Sequence, residues 1–284
     1  MVNLFLVGAA KCGTTSFHSY LNQHPSICMS KIKELNYFTH GEIEMDKLYY
    51  RGNTLIKDIE SYRKQFDCKN SEYLGESSVS YLFYPNTAQK IHEFNPDAKI
   101  LIFLRNPVER AFSHYLMDYN AGYIKCSLEY LLNNSIKLQE YQQVVQLGCY
   151  YDQVKKYLDL FKDNVSIHIF EEWIGKENQE LKVIEDFLGL PNYKEYNLEK
   201  ENSYFEPSNR LLRAFNRNVH MKSLIKLFFT KKSMRYIKQN ISIKNQKPVL
   251  NIDIRRRLYR YYMNDINKLS ELLSQDLSKI WNED

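Results

Sequence analysis

Glycine and proline are scarce in this chain, nine and seven in 284 residues. A flexible linker or low-complexity segment would need clusters of them, so a single domain over residues 1–284 is expected. Long apolar runs are missing too. The longest, Leu4 to Ala10 and Ile100 to Leu104, fall far short of the roughly 18–20 residues that cross a bilayer, and no transmembrane segment is expected. The first run has no basic segment before it and meets Lys11 where a small-residue cleavage site would lie, which assigns it to the core rather than to a signal peptide. Five cysteines, Cys12, Cys28, Cys68, Cys126 and Cys149, are odd in number and contain no C-x-x-C pair, so neither a metal site nor a dithiol centre is indicated. Reduced thiols and a cytoplasmic location are the expectation. A large excess of one charge is also lacking. The formal net charge is +5, with local clusters at Lys231, Lys232 and Arg235 and at Arg255, Arg256, Arg257 and Arg260. A nucleic-acid binder would show a basic stripe interleaved with aromatics, so no nucleic-acid partner is expected; such clusters are solvated helix faces or a rim that steers an anionic ligand.

What is present is a hydrophobic fraction of 44%, enough for a substantial core, and one informative stretch. Leu4-Phe5-Leu6-Val7-Gly8-Ala9-Ala10-Lys11-Cys12-Gly13-Thr14-Thr15-Ser16 reads as a buried strand, a tight turn and a helix start that continues through Phe17, Tyr20 and Leu21. Unpaired amides and the positive dipole end at a helix N-terminus attract anions. With three hydroxyls and Lys11 adding donors, the loop is read as a phosphate cradle; the alternative is a turn that binds nothing. The nucleotide-triphosphatase pattern places Lys and Ser/Thr after the second glycine. Here Lys11 precedes Gly13, which puts the positive charge in the loop, facing whatever is attached to a bound phosphate.

Downstream, Lys33-Glu34 precedes Tyr37-Phe38, setting a loop carboxylate beside an aromatic wall; a plain surface ion pair between Lys33 and Glu34 is the competing reading. Residues 41–71 are expected to hold a loop and a helix through Ile56, Ile59, Tyr62 and Phe66. Tyr73 to Ser78 is a predicted strand ending in polar groups, followed by a helix from Pro85 to Phe94. Ala98 to Arg105 suits a strand covered on both faces. Asn106 then caps a helix with Pro107 at its first position, whose core stripe is Val108, Phe112, Tyr115 and Tyr119. Ser113, seven residues past the cap, returns to the cap's side, so Arg105 and Ser113 form a predicted second anion site. Residues 127–161 are read as helical with a break at Gly148. Val165 to Phe170 is read as a strand that turns His168 to a polar face, and Leu181 to Leu188 as a helix ended by Gly189. Helices are expected between Asn202 and Phe229, a basic loop from Ile243 to Pro248, and an amphipathic helix from Ile252 to Leu277. The alternation predicts an α/β fold, a P-loop-type parallel sheet flanked by helices with a helical C-terminal part.

Two strings carry a family resemblance. Lys11-Cys12-Gly13-Thr14-Thr15-Ser16 resembles the 5′-phosphosulfate loop, and Leu104-Arg105-Asn106-Pro107-Val108-Glu109-Arg110-Ala111-Phe112-Ser113-His114-Tyr115 the 3′-phosphate signature, of sulfotransferases that use 3′-phosphoadenosine 5′-phosphosulfate (PAPS). The similarity is greater to the bacterial and heparan-sulfate-modifying branch than to the phenol and steroid enzymes. It runs on more weakly through Lys33-Glu34, Gly75-Glu76-Ser77-Ser78, Gly148-Cys149-Tyr150 and Asp276-Leu277-Ser278 before Trp281. The resemblance implies that Lys11 contacts the leaving phosphate oxygen, that Cys12, Gly13, Thr14, Thr15 and Ser16 hold the 5′-phosphate, and that Arg105 and Ser113 hold the 3′-phosphate. It implies that Glu34 is the catalytic base and that no metal is required. A C-terminal cofactor loop of the heparan branch finds its nearest equivalent in Lys244 to Pro248, with Lys244 and Lys247 as candidate cofactor contacts. A lysine that many heparan enzymes carry after the glutamate matching Glu76 is Ser77 here, so its role does not transfer.

The chemistry is coherent. Sulfuryl transfer needs an in-line nucleophile, a base to take its proton and positive charge where the leaving phosphate gains negative charge; Glu34, Lys11 and the loop amides supply these parts. The expected acceptor is a small molecule or glycan, with a carbohydrate or glycoconjugate hydroxyl or amine as the first choice. An atypical P-loop kinase using ATP and Mg²⁺ would ask for a metal-binding Asp and the standard lysine position; it and a non-catalytic nucleotide-binding protein are the alternatives. His40 and His92 compete with Glu34 as the base.

Overall fold

A computed structural model of the chain describes residues 1–46, 55–68, 70–134, 139–198 and 247–282, with a two-residue antiparallel pairing of Glu206–Pro207 and Ser242–Ile243. The helices expected between Asn202 and Phe229, the cluster at Lys231, Lys232 and Arg235, and Lys244 lie outside the described residues.

Five strands, β1 (Leu4–Gly8), β2 (Ile27–Met29), β3 (Tyr73–Ser77), β4 (Lys99–Leu104) and β5 (Val165–Ile169), form a parallel sheet in the order β2-β3-β1-β4-β5. β1 is buried throughout and β4 everywhere but Lys99, as continuous apolar runs demand when helices cover both faces. Helix α1 (Thr14–Leu21) carries the chain from β1 to the β2 edge. The chain returns through α2 (His40–Asp46) and α3 (Ile59–Arg63) to β3, then crosses by α4 (Ser80–Phe83) and α5 (Thr87–Phe94) to β4 on the other side of β1. The progression therefore reverses at β1, and the carboxyl ends of β1, β3 and β4 meet where open α/β sheets take their ligands.

Helix α6 (Pro107–Ala121) starts as the sequence predicts. The Asn106 side chain accepts from the N–H groups of Val108 at 2.9 Å and Glu109 at 3.4 Å, and Gly122 ends the helix in the left-handed region at φ 80°. Then come α7 (Leu128–Asn133), α8 (Gln139–Val144), α9 (Tyr151–Phe161), α10 (Phe170–Trp173), α11 (Glu177–Leu188, closed by Gly189), α12 (Ile252–Leu273) and α13 (Leu277–Ile280). Under the sheet edge Phe17 packs on Phe103 and Trp173 with ring centroids 4.4 and 4.9 Å apart. Trp281 is wholly buried and donates its indole N–H to Glu171 at 2.8 Å.

Several expectations need correction. The helix after β3 begins at Thr87, not Pro85, because Thr87 N–H turns back to the Tyr84 carbonyl before the helix starts. Residues 127–161 are not one broken helix but α7, α8, a 3₁₀ turn at Gln146–Gly148 and α9. His168 faces inward, 2% exposed, stacked on Phe103 at 4.7 Å and paired with Glu180; alternation on a strand covered by α11 does not mark a solvent face.

The reading of all five cysteines as reduced thiols is overturned at one pair. Cys28 on β2 and Cys68 beyond α3 form a disulfide, with Cα atoms 6.2 Å apart and a sequence separation of 40. Sequence spacing cannot reveal it, because α3 folds back beside the β2 edge, where Lys31 N–H donates to the Gln65 carbonyl at 3.0 Å. Cys68→Ser opens that loop in the unfolded chain and is expected to lower the unfolding free energy by up to about 4 kcal/mol on the chain-entropy model. Denaturant unfolding under non-reducing conditions checks it; equal midpoints for variant and parent would refute the crosslink.

Candidate active site

The turn after β1 has the form its residues demand. Gly13 stands at φ 83° immediately before α1, and a Cβ there would lie 2.6 Å from the Trp173 ring, so glycine is required both for conformation and for space. No side chain caps α1. Its first backbone bonds run from Ser16 and Phe17 to the Gly13 carbonyl at 3.0 and 3.2 Å, which leaves the amides just before them as the orphan donors of a helix start. Lys11 takes a left-handed conformation at φ 71° and sets its ammonium 3.4 Å from Met117 Sδ on α6. Burial pushes the Lys11 ammonium below the usual lysine range; the Asp118 carboxylate pulls it back up, and the Arg105 and Lys33 charges push it down further. Cys12 beside it is a neutral packing group, since burial pushes its thiol up to about 12.

Arg105 follows β4 and reaches this same turn. Its Nη1 donates to the Lys11 carbonyl at 3.3 Å, its guanidinium carbon stands 4.4 Å over the Phe170 ring, and Nη2 lies 4.0 Å from Glu109. Its Nε is buried with no hydrogen-bond partner among the described residues. The Tyr150 hydroxyl ties the two motifs from behind, donating to the Arg105 carbonyl at 3.1 Å and lying 4.0 Å from Cys12 Sγ. Ser113 sits half-buried on α6. Glu171 accepts from Asn106 N–H at 3.0 Å with one oxygen and from Trp281 with the other. Lys247 pairs with Glu109 at 2.8 Å and lies 5.1 Å over the Phe112 ring, and Arg255 joins the same carboxylate at 2.6 Å. Lys247 therefore borders the α6 face that carries Ser113.

Glu34 lies between β2 and α2 in a left-handed conformation, φ 64°, with its N–H on the Ser77 carbonyl at 2.8 Å. Lys33 Nζ is 2.6 Å from its Oε1, both side chains largely covered, so the ion pair between the two is formed, while Tyr37 and Phe38 pack on Tyr62. Of the competing histidines, His92 packs its ring on Phe161 at 5.3 Å, and His40 opens α2 in a groove with Tyr37, Phe38, Lys90 and Glu93. The histidine beside Lys33 is instead His18 of α1, held neutral down to about 4 by burial and by the Lys33 charge.

The burial of two polar groups escaped the sequence reading. On α6, Arg110, His114 and Asp118 form a fully buried stripe at four-residue spacing, with His114 Nε2 3.5 Å from Asp118; that spacing was the available signal. At the end of β3, Glu76 is fully buried and accepts from the hydroxyls of Tyr62 at 2.6 Å, Tyr81 at 2.6 Å and Ser78 at 2.7 Å. Burial pushes its carboxyl up to about 7, against the three hydroxyls, which favour the ionised form.

Residues 2–269 match the sulfotransferase domain family. Membrane-associated sulfotransferase kil1 of Dictyostelium discoideum is 34% identical over 117 residues, 40% of this chain and 22% of that protein. Heparan sulfate glucosamine 3-O-sulfotransferase 5 of Mus musculus is 26% identical over 203 residues, 68% of this chain and 55% of that protein. The chain thus spans little more than half, at most, of these two curated relatives. A solved sulfotransferase from Alicyclobacillus acidocaldarius superposes with a TM-score of 0.73 at 29% identity, covering 98% of each chain.

Because Glu76 binds its proton more tightly folded, near 7, than at its ordinary 4.5, its contribution to stability is complete below about pH 4.5 and is lost as pH rises through 7. The full difference is roughly 3 kcal/mol. Glu76→Gln, neutral at every pH, is expected to flatten the wild-type decline between pH 5 and 8 in urea unfolding. Parallel pH profiles for the two proteins would refute this assignment.

Proposed function

The chain belongs to the sulfotransferase family, and from that premise we propose that it moves a sulfuryl group from PAPS to a hydroxyl or amine of a carbohydrate or glycoconjugate, with Glu34 as base. The observation that carries this reading is the contact of Arg105 with the Lys11 turn, which joins two anion-binding motifs 94 residues apart. A relative named for heparan sulfate glucosamine supports a glycan acceptor.

The residues fit a cofactor with two separate phosphate groups. Gly13, Thr14, Thr15 and Ser16 would hold the 5′ end with amides and hydroxyls, and Arg105, drawn to the Lys11 turn, would hold the 3′-phosphate with Ser113. When bound there, PAPS supplies an activated sulfuryl group. Lys11 would offer the leaving phosphate a positive charge, in a buried setting where it counts for more than in water. Glu34 takes the proton of the acceptor hydroxyl or amine, and Lys33 fixes the direction of its carboxylate. Lys247 borders the 3′ side through Glu109 and Phe112.

Thermal unfolding is expected to shift upward with 3′-phosphoadenosine 5′-phosphate in the absence of metal, and less with ADP or with ATP and Mg²⁺. Arg105→Ala should weaken that bisphosphate by about 1.5–3 kcal/mol, the worth of a charge-assisted contact, and adenosine 5′-phosphate far less; equal losses in calorimetric titration would count against the 3′ site.

Lys11→Ala should lower turnover by about 10²–10³ with a smaller loss of cofactor affinity. Glu34→Gln should retain bisphosphate binding while transfer falls by roughly 10² or more. Near-normal rates in a sulfate-transfer assay with Glu34→Gln would exclude the glutamate as base.

A further inference from the structure

Glu34 and Asn36 both stand in the left-handed region, at φ 64° and 53°. Non-glycine residues keep such a conformation only where their surroundings fix it, and here the fixing groups can be followed bond by bond. Glu34 N–H donates to the Ser77 carbonyl at 2.8 Å, and the Glu34 carbonyl accepts from Asn36 Nδ2 at 2.9 Å. Asn36 N–H donates to Ser78 Oγ at 3.1 Å, and Asn36 Oδ1 accepts from Ser80 Oγ at 2.7 Å, which also meets Thr39 Oγ1 at 2.8 Å. The direction of this chain is set at its far end. Ser78 has one hydroxyl hydrogen, and it points at Glu76 Oε1, so the oxygen lone pairs are left for Asn36. Glu76 is itself held by Tyr62 and Tyr81, and Ser78 and Asn36 are buried, so water does not replace a lost bond.

We infer that Ser78, oriented by Glu76, is a positioning residue for Glu34: the path Glu76–Ser78–Asn36 holds the backbone that aims the carboxylate at the acceptor. This rests on Glu34 being the base. The side chains of the path do not touch the reacting atoms. They act by fixing where the proton acceptor stands, and small misplacements of a reacting group are costly in rate.

The test is Ser78→Ala made in the parent and in the Glu34→Gln background, with Asn36→Asp as a second variant that keeps size and left-handed tolerance but cannot donate to the Glu34 carbonyl. In the parent background each variant should lower kcat about fivefold to tenfold, the scale of one hydrogen bond, with KM for PAPS unchanged. In the cofactor-free protein, hydrogen exchange of the Asn36 amide should quicken in Ser78→Ala by a similar factor. In the Glu34→Gln background Ser78→Ala should cost nothing further, because there is no base left to aim. Unchanged kcat in both single variants while Glu34→Gln has lost its activity would overturn the inference and leave the base standing. An equal loss from Ser78→Ala in both backgrounds would also overturn it, as a general structural effect. A Glu34→Gln enzyme that transfers sulfate normally would remove the base and the inference together, and that result is read from Glu34→Gln alone.

Discussion

Lys11 and Arg105 carry like charges, and the fold holds them together at the carboxyl ends of β1 and β4. The Arg105 charge and burial both push the Lys11 ammonium down. What holds the pair together is compensation from several elements: Asp118 on α6 draws the lysine back toward its charged form, the Lys11 carbonyl accepts from the guanidinium, Glu109 faces the guanidinium at 4.0 Å, and the Phe170 ring lies beneath it. Gathering positive charge in one buried place is costly, and an anion placed there would relieve that cost. The buried stripe on α6 belongs to the same account, since Asp118 ends it and His114 is pushed well below the ordinary histidine range by burial and by its cationic neighbours Arg110 and Lys11.

The other half of the site rests on different physics. Around β3 the groups are hydroxyls, amides and one buried carboxylate, joined by short hydrogen bonds, and the geometry of the Glu34 loop follows from donor and acceptor counting. One half of the site is organised by charge, the other by direction. Both meet at the carboxyl ends of β1, β3 and β4 because the strand order reverses at β1.

The parts of this architecture set by short-range rules were legible in the sequence. The buried strands β1 and β4, the Gly13 turn, the Asn106-Pro107 cap and the Gly189 stop each have a local cause, and the structure has them where the residues place them. The parallel sheet followed from the alternation of elements, and Glu34 lies in a loop between β2 and α2 paired with Lys33. Groups defined by distant partners were not legible. The Cys28–Cys68 bond depends on where α3 folds back, the inward face of His168 on the docking of α11, and the burial of Glu76 on two tyrosines 14 residues before it and 5 after it. His18 escaped notice because helical spacing gives its face but not the loop that arrives beside it.

The carboxylate of Glu171 joins the Asn106 cap to the indole of Trp281, 110 residues further along the chain. In the order of synthesis this sets a sequence of events. All five strands and the first residues of both anion-binding motifs leave the ribosome before Trp281 exists, and domains begin to fold from the N-terminal end as they emerge. Until Trp281 is made, one oxygen of Glu171 lacks its indole donor, and the pocket that Trp281 fills beside Tyr150 is empty. A nascent chain can thus complete its sheet while the cap beside Arg105 is still held from one side only, so this corner of the fold is finished only once Trp281 has joined it.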